Sequence, residues 1–174
     1  VIALAETDLA AQPASTEVEN LLALVALYRG SIAAVRGDVE PAIKLITFAQ
    51  SRLPRADHMA HARAFFSLGL ANELSGQAED AAKNFLRASD EAQSAGVLHL
   101  AVQARCSAAQ VLIDQGRLHL AEQACRTAID LAEGQRFPPL GVALSILGGI
   151  ALARNDLASA EQLLHEGIAL SRQV

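Results

Sequence analysis

The chain has 174 residues, 52% hydrophobic but only 3% aromatic, and a formal net charge of -5 from 14 Lys and Arg against 19 Asp and Glu. An acidic chain of this kind repels phosphates, which argues against nucleic-acid binding by this segment itself. Its 36 Ala and 26 Leu are strong helix formers, β-branched residues are sparse and no stretch alternates with a period of two, so a sheet is excluded as well.

Taken in chain order, Ile2 to about Ala11 reads as the second helix of a unit whose first half is missing, closed by Pro13 much as Pro54 closes the next unit. Thr16–Val35 pairs with Val39–Ser51, Asp57–Ser75 with Ala78–Ala95, Val97–Gln115 with Leu118–Glu133, and Pro138–Arg154 with Leu157–Arg172. The expected hairpins therefore cover about 16–51, 57–95, 97–133 and 138–172, with 1–13 the second helix of a truncated repeat. The links LPRA, AG and GQRFPP are short, so residues 1–174 are expected to form a single repeat domain. Neither end carries a polar capping unit, which points to a fragment of a longer chain. The apolar runs are broken by Arg, Gln or Asp and read as too short to span a bilayer. The opening VIALAETDLAAQP has no basic flank and no cleavage pattern, so it does not read as a signal peptide.

One phrase recurs: GDVEPAIKL from Gly37, GQAEDAAKN from Gly76, GRLHLAEQA from Gly116 and NDLASAEQL from Asn155, at spacings of 39, 40 and 39 residues. A period in that range marks stacked helix-turn-helix units. Gly and Asn most easily take the left-handed conformation that ends a helix. Asp38 and Asp156 follow at once and are placed to cap the next helix, and Pro41 falls in its first turn, where a missing amide costs little. Small residues stand seven before the turn (Gly30, Gly69, Ala109, Gly148), five after it (Ala42, Ala81, Ala121, Ala160) and seven beyond that (Ala49, Ala88, Ala128, Gly167). Bulky Ile46, Phe85 and Leu164, with Cys125 in the third unit, mark the middle of each second helix. Compact sites in register describe two antiparallel helices packed closely, and most of these positions are core rather than functional.

The set Leu68-Gly69, Gly76, Ala81, Phe85 and Ala88 resembles the tetratricopeptide repeat. The period is about 40 rather than the usual 34, the early Trp is absent, the Tyr of the first helix is not in place, and the terminal Pro survives only as Pro54. Longer helices of this kind, and the run ALARNDLASAEQLLHEGIALS in particular, resemble the repeat domain of the MalT-type and large LuxR-family bacterial transcription regulators. The resemblance implies an all-α, right-handed superhelix of antiparallel helix hairpins, a tetratricopeptide-like α-solenoid of about four and a half repeats. It implies a non-catalytic arm that receives a small-molecule inducer or a regulatory protein in its concave groove. It also implies a nucleotide-binding module before the repeats and a helix-turn-helix module after them. Neither is in this chain: there is no GxxxxGK[ST] and no short basic recognition helix.

The candidate chemistry has bland explanations. Asp57, His58 and His61 form D-H-x-x-H at a helix start, but no third ligand is evident, and a solvated first turn accounts for them better than a metal. His99, His119 and His165 stand alone and read as surface or groove-lining. Glu79 and Asp80 sit in a first turn, where the helix dipole favours carboxylates. Cys125 takes a core position; a bond to Cys106 requires the two side chains to face each other. Two cysteines without CxxC suit a reducing cytoplasm. No nucleophile motif, cofactor motif or metal set is found, so the expectation is no enzyme, no cofactor and no membrane contact.

In superhelices of this type the first helix of each hairpin lines the inner groove. The repeat register puts Arg63, Phe66, Leu70 and Glu73 there from one unit, Gln103, Cys106, Gln110 and Asp114 from the next, and Ser145 and Leu152 from the last. Arg63 and Gln103 are the foremost candidates. The mixture holds no Arg or Lys cluster, which favours a neutral small molecule or an apolar segment of a partner over an acidic peptide or phosphate. Two readings of different class follow: the sensor arm of a transcription regulator, or a free-standing scaffold joining other proteins, with self-association open to either. A Walker-type module before the repeats and a helix-turn-helix module after them in the parent gene would mark the first; a complete polar cap would mark the second.

Overall fold

The computed structural model describes residues 9, 13 and 15–172. Among the described residues the protein is all-α, with helices α1 (Thr16–Arg36), α2 (Val39–Gln50), α3 (His58–Leu74), α4 (Ala78–Ser94), α5 (Leu98–Asp114), α6 (Leu118–Leu131), α7 (Pro138–Ala153) and α8 (Leu157–Ser171). Each end falls within two residues of the sequence expectation. The helix expected over Ile2–Ala11 lies outside the described residues. The helices pair as four hairpins, α1 with α2, α3 with α4, α5 with α6 and α7 with α8. They group into two compact units, Val1–Ala95 and Gly96–Val174. Within the first, α3 packs against both α1 and α2; within the second, α7 packs against both α5 and α6.

The four corners are one structure repeated. Gly37, Gly76 and Gly116 have φ of 83°, 75° and 71°, and Asn155 has φ 61°. The next amide then reaches back into the helix: Asp38 N–H to Ala33 O at 2.9 Å, Gln77 to Asn72 at 2.8 Å, Arg117 to Leu112 at 2.8 Å and Asp156 to Ala151 at 2.9 Å. This double-bonded left-handed cap satisfies carbonyls that a helix end leaves orphaned. A Cβ added at Gly76 meets nothing within 4 Å, so only backbone strain opposes a side chain there. Gly76→Ala should therefore cost about 1–2 kcal/mol, read as a lower denaturant midpoint; an unchanged midpoint would remove the conformational argument.

The caps correct one expectation. Asp57 Oδ1 accepts from Ala60 N–H at 3.0 Å and Asp156 Oδ1 from Ser159 N–H at 3.2 Å. Asp38 occupies the same position ahead of α2 but makes no such bond. The cause is Pro41, which stands where the other two helices present the third-residue amide and has no N–H to give.

The small residues let the paired helices approach. A Cβ on Gly30 would lie 2.6 Å from Ile46, one on Gly69 would lie 2.6 Å from the Phe85 ring, and one on Gly148 would lie 2.7 Å from Leu164. In the third hairpin the same register holds Ala109 and Cys125, both at 0% exposure. The first-helix residue is larger there and its second-helix counterpart smaller, so the hairpin keeps its thickness.

A second correction concerns α1. Its 21 residues, with mean hydropathy 1.4 over an 18-residue window, make it long and apolar enough to cross a membrane by length and composition. The charges expected to break the run sit mostly at its ends (Glu17, Glu19 and Arg36), leaving Arg29 alone in the middle. One face of the helix nevertheless packs as a hairpin helix, burying Ala23, Leu27, Gly30 and Ala34.

Candidate ligand-binding site

The first helices of the hairpins carry the expected groove residues, and each unit presents its own set. In residues 1–95, exposed Arg63 of α3 donates from Nη1 to Tyr28 Oη of α1 at 3.2 Å, its guanidinium 5.7 Å from the ring centre. Beside it, Ser67 Oγ donates to Ser31 Oγ at 2.8 Å, which donates on to Leu27 O at 2.9 Å. Leu70 is partly buried against the core around Leu27 and Ile46. Phe66 is turned inward by the ring it meets: it packs edge-on against Phe85, centroids 5.4 Å apart. Glu73 is exposed near the end of α3.

In residues 96–174 the expected residues converge further. A hollow of ≈ 710 Å³ opens between α5 and α7. Gln103, Cys106 and Gln110 line it from α5, and Pro139 and Val142 from α7. Gln103 and Gln110 are exposed and two helical turns apart, about 10.5 Å along the axis. They offer an amide donor and acceptor at each end of a mixed wall. Cys106 forms the floor: it is 4% exposed, and its thiol donates to Pro139 O at 3.5 Å. Burial pushes this thiol up to about 12, so it is a packing group rather than a nucleophile. Asp114 is exposed at the end of α5 and is not among the lining residues. Ser145 bonds back to Gly141 O at 2.7 Å, and Leu152 is 55% exposed; neither lines the hollow.

The sequence reading passed over Tyr28, Ser107, Pro139 and Val142, while His99, read as surface or groove-lining, lines the hollow. The register itself could have found two of them. Val142 stands 39 residues after Gln103 and Ser107 stands 40 after Ser67, each in a first helix.

Several other charged groups have structural partners. His58 Nδ1 lies 2.8 Å from Glu91 Oε2, His61 Nε2 lies 3.1 Å from Pro54 O, and Asp57 caps α3, so D-H-x-x-H is spent on three separate contacts. Among the described residues no group of three or more His, Cys, Asp or Glu is placed to hold a metal. Lys83 pairs with Glu79 at 2.9 Å and Asp80 at 3.8 Å. Glu122 receives Arg126 and Arg154 at 2.8 and 2.7 Å, joining α6 to the end of α7; these hydrogen bonds hold its carboxyl below the ordinary range.

Antiparallel helix pairs, small residues at their crossings and a left-handed corner every 39 or 40 residues define a tetratricopeptide-like repeat protein. The chain belongs to the family described as the MalT-like TPR region, which matches residues 23–174. Its fold is similar to that of RapI in the crystal structure of the apo form, with TM-score 0.79 and 14% identity over 98% of this chain and 61% of that one. It is also similar to BtubC (BKLC) from P. vanneervenii, with TM-score 0.69 and 16% identity over 99% of this chain and 74% of that one. The chain thus spans about three fifths of the RapI chain. No curated protein sequence matches it.

Proposed function

We propose that residues 1–174 form the ligand- or protein-binding sensor arm of a bacterial transcription regulator, cytoplasmic and without catalysis of its own. The observation that carries this reading is the α5–α7 hollow, into which Gln103, Cys106 and Gln110 of the expected groove set converge. Its volume of ≈ 710 Å³ lies within the roughly 300–1,000 Å³ of pockets for drug-sized ligands. Membership of the MalT-like TPR region supports a regulatory role. The net charge of -5 supports recognition of a neutral molecule or an apolar segment, with DNA contact left to other parts of the protein. Gln103 and Gln110 bind polar groups of the ligand, Val142 and Pro139 cover its apolar part, and Cys106 sets the depth. Arg63 and Tyr28 offer the corresponding face in the first unit.

A thermal-shift screen against neutral sugars and small metabolites tests the reading. A stabilising ligand should lose at least tenfold in affinity, about 1.4 kcal/mol, when Gln103→Ala removes one amide. Val142→Trp, which fills the hollow from an exposed position, should abolish the shift. A ligand whose binding survives both substitutions would overturn the assignment to this hollow.

A further inference from the structure

A second hollow in residues 96–174 shares no lining residue with the first. It has a volume of ≈ 220 Å³ and sits where the loop after α6 meets α7 and α8. Leu140, Leu144 and Leu170 form its apolar wall, and Arg136 and Glu166 stand at its edge.

Ala132, at the end of α6, is 1% exposed and contributes a short side chain to the lining, as Ala92 does to its own hairpin sixteen residues after Gly76.

We propose that this hollow is a site for a free branched-chain L-amino acid, leucine being the best fit. The argument is charge complementarity over an apolar floor. Arg136 Nη1 and Glu166 Oε1 are 3.4 Å apart, longer than the roughly 2.7–2.9 Å of a strong charge-assisted bond, and both side chains are about half exposed. A ligand carrying one charge would satisfy one of them and repel the other. A zwitterion satisfies both: its carboxylate takes the two donors of the guanidinium, and its ammonium takes the Glu166 carboxylate. The aliphatic side chain then enters the leucine-lined space. A volume below the roughly 300 Å³ at which drug-sized sites begin suits a molecule of amino-acid size.

The proposal does not rest on the α5–α7 hollow, and its test is separate. Calorimetry and melting curves of the whole chain would be compared for L-leucine, 4-methylpentanoate (no ammonium) and 3-methylbutylamine (no carboxylate). Leucine should bind and raise the melting temperature, and each single-charge analogue should bind at least tenfold more weakly. Ala132→Leu, which puts a larger side chain into the lining, should remove the leucine response. Arg136→Gln and Glu166→Gln, both at the surface, should each weaken leucine at least tenfold. Absence of any leucine response in the parent overturns the site. Equal binding of either analogue overturns the zwitterion, and an undiminished response in Ala132→Leu overturns the location.

Discussion

Truncating Phe85 to alanine should cost about 3–5 kcal/mol, a large share of the roughly 5–15 kcal/mol that stabilises a domain. The ring is at 0% exposure, lies where a Cβ on Gly69 would fall, and meets Phe66 edge-on. Ala81, Ala82 and Ala88 of the same helix are short and already packed, so they cannot fill the space. The loss should be confined. In a stack of repeats each unit is held by its neighbours, and stability is a sum of local terms. Both cysteines of the chain lie in residues 96–174, and burial pushes each thiol to about 12, so thiol-labelling rates report the opening of that unit alone. Phe85→Ala should split the loss of helicity on denaturation into two steps while labelling at low denaturant stays at the parent rate. A single transition in which helicity and labelling move together would show that the nearest-neighbour description fails for this chain.

Gly69→Leu attacks the same contact from the other side. Its Cβ would fall 2.6 Å from two atoms of the Phe85 ring and 2.9 Å from a third, distances at which something must shift. A flat, fully buried ring has no flexible end to swing away, so α3 and α4 must separate. Overpacking of this kind costs about 1–3 kcal/mol and sometimes more. Gly149 supplies the control. It lies in α7, is exposed, and an added Cβ meets nothing within 4 Å, so Gly149→Leu should be neutral or stabilise by up to about 1 kcal/mol by removing a helix-interior glycine. The Gly69 and Phe85 changes should be non-additive, since alanine at 85 opens the room that leucine at 69 requires. If Gly69→Leu melts like the parent, the hairpin register is wrong.

The hairpins were legible because their signals are local and repeated. Gly37, Gly76, Gly116 and Asn155 each need a left-handed backbone, and four occurrences at one period outweigh the ambiguity of any single glycine. Even the missing cap at Asp38 was readable in principle, from Pro41 three residues later. The site was less legible because a register assigns a residue to a face without saying what stands opposite. Phe66 and Gln103 occupy nearby register positions, yet one packs against Phe85 while the other lines an open hollow. Tyr28 meets Arg63 across 35 residues of sequence, and Arg154 meets Glu122 between neighbouring hairpins; no periodic pattern encodes either encounter. The second hollow joins residues of a loop and two helices, Arg136, Leu140 and Glu166 among them, that no single register position brings together.

The matched sizes at the helix crossings have a bearing on how such a chain avoids error while folding. Near-identical segments in tandem invite exchange, in which one segment joins the wrong companion or a neighbouring molecule. Gly30 faces Ile46, Gly69 faces Phe85 and Gly148 faces Leu164, whereas Ala109 shares its register with Cys125. A swap that brought Ala109 opposite Phe85 would force a methyl into an aromatic ring, and one that brought Gly69 opposite Cys125 would leave a void. At this one locus the third hairpin is keyed differently from the other three, so an exchange with it meets either a clash or a gap.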